Sequence, residues 1–178
     1  MSERHPGRYS LWKVEDTELP SNDPFGKVVG VSHWQIFPTE KTDEDIKKEE
    51  GQSEEDEKQF GTRPDLHTEL VDAFSSAGKA KKEEFIGRKP HVLLQAIATR
   101  PGHERRGVAG LSLGWGTAKA DEMKVPAYLE ASEKGVELYK RWGFEALEKL
   151  PFDATSYGYS DPLPHVCMRR PAKVTPSD

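Results

Sequence analysis

The chain has 178 residues, of which 34% are hydrophobic and 32% are charged, and its formal net charge is −5 at pH 7. Residues 40–59 hold ten acidic side chains and four lysines, which leaves 22 basic and 21 acidic side chains elsewhere. A nearly neutral remainder lacks the basic surface that binds nucleic acids, so we expect no nucleic-acid partner. The length suits one domain over residues 1–178 with a substantial core.

Cysteine content and apolar patterning indicate the compartment. Cys167 is the only cysteine, so no disulfide can form within the chain, as is typical of a reducing compartment. The first ten residues (MSERHPGRYS) contain no apolar run, and no stretch approaches the roughly 18 apolar residues of a membrane span. We therefore expect a soluble cytoplasmic protein without a membrane partner.

The chain opens with two strand-like segments, residues 8–15 and 27–36, the second rich in β-branched and aromatic side chains. Residues 18–26 between them carry two prolines, an asparagine and two aspartates or glutamates, which predicts a hairpin turn. The first two strands should therefore pair in an antiparallel manner.

An acidic insert follows at about 39–88, which we expect to be helical or disordered. Within it, apolar side chains recur at helical spacing and predict a short amphipathic helix over 65–77. These are Leu66, Leu70, Val71, Phe74 and Ala77. A second helix, rich in lysine and glutamate, is predicted over 79–86.

Residues 91–99 (HVLLQAIAT) form an apolar run of strand length between two prolines, which is typical of a buried central strand. A helix is predicted over 108–123, with Val108, Leu111, Trp115 and Ala118 on one face. Gly114 and Gly116 each disfavour that helix by about 1 kcal/mol. They indicate that another element packs closely against it.

The last third of the chain predicts a strand, a helix and two more strands. Residues 126–131 (PAYLEA) are the strand, Ser132 is placed to cap the next helix, and Gly143 is placed to end it. Residues 144–149 and 165–170 are the final strands.

This order of elements predicts an α+β fold in three layers. We expect a mixed, mostly antiparallel sheet of about six strands, with helices on both faces. One domain with one acidic insert accounts for the whole chain.

The turn between the central strand and the next helix is the most informative segment. Small residues at Gly107, Ala109 and Gly110 would let an anion approach the unpaired amides of a helix start. Arg105 and Arg106 add positive charge. A glycine-rich turn with surface arginines and no ligand remains open, whereas a P-loop is disfavoured because a valine follows the second glycine where that motif has lysine.

This segment resembles the acyl-CoA signature of the GNAT superfamily, a [Gln/Arg]-x-x-Gly-x-[Gly/Ala] run between a strand and a helix. Residues 104–109 (ERRGVA) match it except at Glu104, which stands where the family has glutamine or arginine. Residues 138–144 (LYKRWGF) are similar to the family's Leu-Tyr-x-x-x-Gly-Phe helix. Residues 129–132 (LEAS) resemble a subgroup common in filamentous fungi.

The resemblance implies a GNAT-like fold and an N-acyltransferase that moves an acetyl group from acetyl-CoA to a primary amine within a ternary complex. Tyr139 would protonate the departing thiolate, and Ser132 would contact the cofactor arm. The remaining expected cofactor contacts are Ile97, Ala98, Thr99, Glu104, Arg105, Arg106, Gly107, Val108, Ala109, Gly110 and Tyr139. No metal is expected, because the histidines and the cysteine form no cluster with ligand spacing.

The general base is the open question of the site. Many relatives carry an acid on the central strand, where this chain has Gln95, and an amide cannot accept a proton. Glu130 is our first substitute and His91 the second. Cys167 is interpreted as a buried structural thiol.

The acceptor is expected to be a small-molecule or protein amine. The family's usual first strand and two helices have no counterpart before residue 8, so the insert or a second chain, as in a homodimer, would complete the acceptor side. A truncated acyl-CoA-binding module without catalysis is the alternative function, and a nucleotide-binding protein of another class is a third.

Overall fold

The computed structural model describes residues 9–47 and 67–173. Six strands form one sheet in the order β1-β2-β3-β4-β6-β5. The strands are β1 Tyr9–Glu15, β2 Val28–Phe37, β3 His91–Thr99, β4 Ala127–Ser132, β5 Glu145–Lys149 and β6 His165–Arg170. The helices are α1 Thr68–Phe85, α2 Val108–Met123 and α3 Val136–Arg141, with short 3₁₀ turns at Glu133–Gly135 and Ala154–Tyr157. Residues 43–47 are also helical.

The predicted fold class is confirmed. Every strand pair is antiparallel except β3–β4, and helices lie on both faces of the sheet. The predicted β1–β2 hairpin and the two final strands are also present. Residues 48–66, which include most of the acidic run and Leu66, lie outside the described residues.

Two apolar layers cover the two faces of the sheet. On the first face, α2 and α3 enclose a cluster that includes Trp34, Leu94, Leu113 and Tyr139. On the second face, α1 supplies Phe74, Ala77 and Phe85 to a cluster with Leu93, Tyr128 and Cys167 among its members. Side chains on β4 alternate between these layers, as the two-residue period of a strand requires. Leu129 and Ala131 therefore lie on the α2–α3 side, and Tyr128 lies on the α1 side.

Strands β3 and β4 pair over a very short distance. Only Val92 with Ala127 and Leu93 with Tyr128 are in register, although β3 continues to Thr99. Beyond that point β3 pairs with β2 alone, and β4 pairs with β6 alone. The two central strands therefore separate, and a gap opens between their carboxyl ends.

A β-bulge lies in β3 at the start of this gap. His33 pairs with Ala96 and Trp34 pairs with Leu94, so Gln95 is the extra residue. A bulge bends its strand and increases the local twist. The bulge thus occurs just where β3 leaves β4.

Helix α2 approaches the sheet closely through small residues. A Cβ added at Gly116 would lie 2.2 Å from the Trp34 ring, and one added at Gly114 would lie 3.3 Å from Trp142. The prediction that these glycines accommodate a close neighbour is confirmed. Beside them, Trp34 Nε1 donates to Ser112 Oγ at 3.1 Å, and Ser112 Oγ donates to Ser32 Oγ at 2.5 Å.

The predicted apolar face of α2 is buried only in part. Leu111 is 67% exposed and Ala118 is also exposed, whereas Leu113, Gly116 and Ala120 are buried. The physical reason is the Trp34 indole, which occupies the space beneath the helix and favours small residues there.

Two smaller predictions also differ from the structure. Helix α1 is one continuous helix of 18 residues, not two helices divided near residue 78, because it runs through Gly78 without interruption. Ser132 precedes the 3₁₀ turn, but its side chain makes no capping hydrogen bond. The predicted helix end is confirmed, since Gly143 follows α3 with φ of +83°.

Arg170 on β6 joins three elements of the first face. Its guanidinium donates to both carboxylate oxygens of Asp121 on α2, at 2.6 and 3.0 Å, and its Nε donates to the Trp142 carbonyl at 3.1 Å. Arg170 thereby holds α2 and the end of α3 against the sheet. The pKa of Asp121 is lowered because it accepts these hydrogen bonds.

We predict that Gly116→Ala destabilises the fold by about 1–3 kcal/mol, because the new methyl group would overlap the Trp34 ring. Chemical denaturation followed by tryptophan fluorescence measures the effect. Ala118→Gly on the exposed side of α2 is the control, with an expected loss of about 1 kcal/mol from helix propensity alone. An unchanged midpoint for Gly116→Ala would contradict the close packing.

Candidate functional site

The turn between β3 and α2 is held by the side chain of Glu104. Glu104 Oε2 accepts a hydrogen bond from the Gly102 amide at 2.8 Å. Gly102 and Gly107 have φ of +84° and +86°, and Arg105 has φ of +58°. A left-handed backbone at a non-glycine residue is uncommon and costs about 1 kcal/mol or more. The Glu104 carboxylate therefore stabilises the turn and is not directed at the space beside the helix start.

The amino end of α2 presents unpaired amides. The Leu111 amide donates to the Gly107 carbonyl at 3.2 Å, so the amides of Val108, Ala109 and Gly110 precede the first intrahelical bond. Gly107 supplies no side-chain cap, and a Cβ added there would meet nothing within 4 Å. An anion can thus reach these amides at a helix end that carries positive partial charge.

Two arginines fix the turn to the β1–β2 connection. Arg100 donates to Asp23 at 3.0 Å, and Arg106 donates to Asp16 at 2.9 Å. Arg106 also lies 2.9 Å from His103 Nδ1. Asp16 and Asp23 both have lowered pKa values: the chief cause at Asp16 is the Glu18 amide, and at Asp23 it is the Arg100 guanidinium.

The two arginines of the signature therefore differ in their contacts. Arg105 and Arg106 were both expected to add positive charge beside an anion. Arg106 is held by Asp16, whereas Arg105 is exposed and forms no ion pair within residues 9–47 and 67–173. Arg105 is the guanidinium that is available to a ligand at this helix start.

The main chain of β3 lines the gap on one side. The Arg100 amide donates to the Val29 carbonyl of β2 at 2.8 Å. Because hydrogen bonds alternate along an antiparallel pair, Ala98 also faces β2. The main-chain groups of Ile97 and Thr99 then face the gap, where β4 has moved away.

Tyr139 on α3 lies on the α2–α3 side of the sheet, in the same cluster as Leu94, Leu129 and Ala131. Its side chain is almost fully buried, and burial raises the pKa of its hydroxyl. Gly135 makes room for the ring, since a Cβ there would lie 2.8 Å from Tyr139 Cε2. The phenol is therefore held in position and keeps its proton.

Ser132 lies at the end of β4, opposite His165 of β6. It is exposed and lies beside Gly135, since a Cβ added at Gly135 would be 3.6 Å from Ser132 Oγ. The hydroxyl therefore lies near the turn that also accommodates the Tyr139 ring, and it is not used as a helix cap.

Glu130 lies on the opposite face of β4, beneath α1. A Cβ added at Gly78 would lie 3.7 Å from Glu130 Oε1. Burial raises the pKa of Glu130, and the Tyr128 hydroxyl and the Lys82 ammonium oppose that effect. A carboxylate with a raised pKa is a better proton acceptor than an exposed one.

The other candidates are placed away from the gap or serve the fold. His91 is fully buried at the first residue of β3, where its ring stacks on Phe37 at 4.3 Å. Cys167 is buried on β6, and burial raises the pKa of its thiol. Among the described residues, no group of three or more histidine, cysteine or acidic side chains could hold a metal ion.

Sequence reasoning missed three features of the site. Asp16 and Asp23 fix the turn from the β1–β2 connection, and nothing in their local sequence indicates contacts about 80 residues away. Tyr128 lies beneath α1 with Glu130. The strict alternation of β4 could have placed Tyr128 and Glu130 on one face.

No helix in residues 9–47 or 67–173 combines the length and the apolar character that a membrane crossing requires.

Comparison with known proteins identifies the architecture. None of the protein-family models matches the sequence, and no curated protein matches it. A solved structure from Corynebacterium glutamicum ATCC 13032, described as histone acetyltransferase HPA2 and related acetyltransferase, has a TM-score of 0.58 and 21% identity, over 98% of this chain and 71% of that chain. Arabidopsis thaliana NAA60, in complex with a bisubstrate analogue, has a TM-score of 0.52 and 13% identity, over 92% of this chain and 75% of that chain.

A second structure of Arabidopsis thaliana NAA60, in complex with acetyl-CoA, has a TM-score of 0.51 and 15% identity, over 92% of this chain and 76% of that chain. TM-scores of 0.51 to 0.58 indicate a common fold, and identities of 13% to 21% leave substrates undetermined. The chain therefore has the GNAT acyl-CoA N-acyltransferase fold that these acetyltransferases share.

Proposed function

We propose that the protein is an acetyl-CoA-dependent N-acyltransferase that acts on a primary amine by direct transfer in a ternary complex. The observation that carries this proposal is the gap between β3 and β4, which has an open helix start at one end; Tyr139 belongs to the apolar cluster on the α2–α3 side of the sheet. The fold shared with NAA60, which has been solved with acetyl-CoA, supports the same assignment.

The residues around the gap fit acetyl-CoA. Its pyrophosphate would lie on the amides of Val108, Ala109 and Gly110, with Arg105 beside it. The open space at Gly107 leaves room for it. The amide-bearing arm would bond to the main chain of Ile97 and Thr99, and Ser132 would contact it from the end of β4, which would put the thioester close to the centre of the sheet.

In the proposed reaction, Glu130 accepts one proton and Tyr139 donates another. The neutral amine attacks the thioester carbonyl carbon, a C–N bond forms, and the C–S bond breaks. Glu130, directly or through a water molecule, accepts the proton that the amine loses, and the Tyr139 hydroxyl donates a proton to the departing sulfur. The Tyr139 oxygen regains its proton from solvent.

The first prediction of this proposal concerns the negative charge of the cofactor's pyrophosphate. Arg105→Ala should weaken coenzyme A binding about 10-fold, since a charge-assisted hydrogen bond contributes about 1.5–3 kcal/mol. Calorimetry with coenzyme A measures the loss.

Arg106→Ala is the matched control for this prediction. Arg106 already pairs with Asp16, so its replacement should weaken coenzyme A binding less than Arg105→Ala does. Equal loss of binding in both variants would contradict the different roles that we assign to the arginines. Tighter binding of ATP than of coenzyme A would argue for a nucleotide-binding protein of another class.

The second prediction concerns Tyr139 as the general acid. Tyr139→Phe should lower turnover about 100-fold, a typical share for general acid catalysis, and leave coenzyme A affinity within about twofold. Thiol release from acetyl-CoA over a panel of primary amines measures turnover. Unchanged turnover in Tyr139→Phe would remove the phenol from the mechanism.

The third prediction concerns pH. Glu130 must be ionised to accept a proton, and its pKa is raised by burial, so kcat/KM should rise with pH across a range above the ordinary glutamate pKa. In Glu130→Gln, this rise of kcat/KM with pH should disappear, whereas the rise that deprotonation of the amine substrate causes should remain. The pH profiles of both proteins, measured on one amine, test this.

Stability gives an independent readout of the same pKa shift. The folded state binds the Glu130 proton more tightly than the unfolded chain, so Glu130 destabilises the fold as pH rises through that range. Glu130→Gln should therefore raise the melting temperature at neutral pH and have little effect at acidic pH, below both pKa values. A melting temperature difference that does not depend on pH would contradict the shift.

A binding module without catalysis is the second candidate. Gln95 at the bulge in β3 favours it, since an amide stands where many similar enzymes have an acid. Binding of coenzyme A without thiol release on any amine would support this alternative.

A further inference from the structure

Strand β1 is an outer strand of the sheet, and within the part of the chain that the structure describes, no strand pairs with the edge that faces away from β2. The Arg100 amide donates to the Val29 carbonyl, so Val29 faces β3 and Gly30 faces β1. Gly30 lies opposite Val14 in β1. By alternation, every second residue of β1 directs its main-chain N–H and C=O groups outwards, which offers a template for another strand. These residues are Tyr9, Leu11 and Lys13.

The opposite edge of the sheet, at β5, is protected against such pairing. Three of its five residues are charged, and a bulge interrupts its pairing with β6. Charges and bulges are common means by which natural proteins prevent pairing at a sheet edge. In β1, the first four residues, 9–12, carry no charge, and the bulge comes only at Val14 and Glu15. This difference indicates that the β1 edge pairs with another strand in the working protein.

Exposed apolar side chains flank the β1 edge on both faces of the sheet. On the α2 side, Trp12 is 43% exposed, and its ring lies 4.8 Å from that of Trp115. Leu111, one turn before Trp115 and also exposed, extends the same surface. Leu11 points to the opposite face, where it is 82% exposed. A strand added at β1 would therefore cover apolar side chains on both faces.

We infer that this edge binds a second copy of the same chain, with the two β1 strands paired antiparallel about a two-fold axis between their Leu11 residues. The edge is complementary to itself in this arrangement, because each copy donates and accepts hydrogen bonds at the same positions. The two six-stranded sheets become one continuous sheet. The axis is perpendicular to the sheet, so both α2 helices lie on one face, and Trp12 of each copy lies in the groove between them.

Side-chain charge favours this orientation and register. Parallel pairing in register would bring Lys13 beside Lys13 of the other copy and Glu15 beside Glu15, and like charges in such positions destabilise paired strands. Antiparallel pairing centred on Leu11 places Lys13 opposite Tyr9 of the other copy, where the ammonium meets an aromatic ring. It also places Trp12 opposite Ser10, so the bulky indole faces a small side chain.

The size of the contact predicts a reversible dimer. Residues 9–14 of an extended strand span about 20 Å. With the depth of the sheet and one helix layer, the interface buries on the order of 1,000 Å² in total, which is about the smallest area of a specific interface. We therefore expect a dissociation constant on the order of 10 µM.

Sedimentation velocity of the full chain from about 1 to about 200 µM, on either side of that constant, tests the dimer. The mass should rise from that of the 20.0 kDa chain to twice that value. Leu11→Ser should weaken association at least about 10-fold, because two leucine side chains are no longer buried. Val31→Ser is the matched control: Val31 is exposed on the same face but lies in β2, and its replacement should leave the dissociation constant within about twofold.

Oxidation of cysteine variants tests the register separately. Residues directly opposite each other bring their Cβ atoms to about 5 Å, so Leu11→Cys should form a disulfide between two copies. Val31→Cys should not, because three strand spacings, about 14 Å, separate it from its counterpart. The native Cys167 is buried, so the unaltered chain should stay unlinked.

The dimer does not depend on the proposed transferase function, and neither measurement involves coenzyme A. A chain that keeps the monomer mass across the whole concentration range would overturn it. A dimer that Leu11→Ser and Val31→Ser weaken equally would also overturn it, as would a disulfide in Val31→Cys and none in Leu11→Cys. Both replaced side chains are exposed in the single chain, so denaturation midpoints at the lowest concentration should match that of the unaltered protein.

Discussion

The separation of β3 from β4 is the constraint on which the rest of the structure depends. Pairing stops after Leu93 and Tyr128, although both strands continue, so main-chain groups in the middle of the sheet are left without strand partners. Buried main-chain groups need partners, and a ligand with amide groups can provide them. The bulge at Gln95 bends β3 at this point, and the same strand then delivers the chain to the helix start at Gly107.

Contacts far apart in sequence keep this geometry rigid. Gly116 lets α2 lie directly on Trp34, and Arg170 ties α2 to the end of α3 through Asp121 and the Trp142 carbonyl. Ion pairs to the β1–β2 connection fix the turn before α2. Charged pairs near the surface contribute little to global stability, so their main effect is local order in the turn. A rigid turn presents its amides without an entropic cost on binding.

Periodicity and turn chemistry predicted most elements, including β3 at residues 91–99 and α2 at 108–123, because these signals are local. The face of α2 that is buried was predicted only in part, since it depends on an indole more than 70 residues earlier in the chain. Likewise, two helices were predicted over 65–77 and 79–86, whereas α1 is continuous from Thr68 to Phe85. The different surroundings of Arg105 and Arg106 follow from Asp16, which no local pattern connects to the turn.

Burial has opposite chemical consequences for the two candidate catalytic residues. Tyr139 lies on the α2–α3 side of the sheet and Glu130 lies on the α1 side, and burial raises the pKa of both. For the phenol, a raised pKa keeps the hydroxyl protonated at neutral pH, so that in the proposed mechanism its proton is available to the departing sulfur. For the carboxylate, it increases basicity towards an amine that loses a proton. Because the two groups lie on opposite faces, the proposed mechanism would separate proton loss from the acceptor and proton gain by the leaving group in space. One layered sheet can therefore maintain an acid and a base together without a direct proton transfer between them.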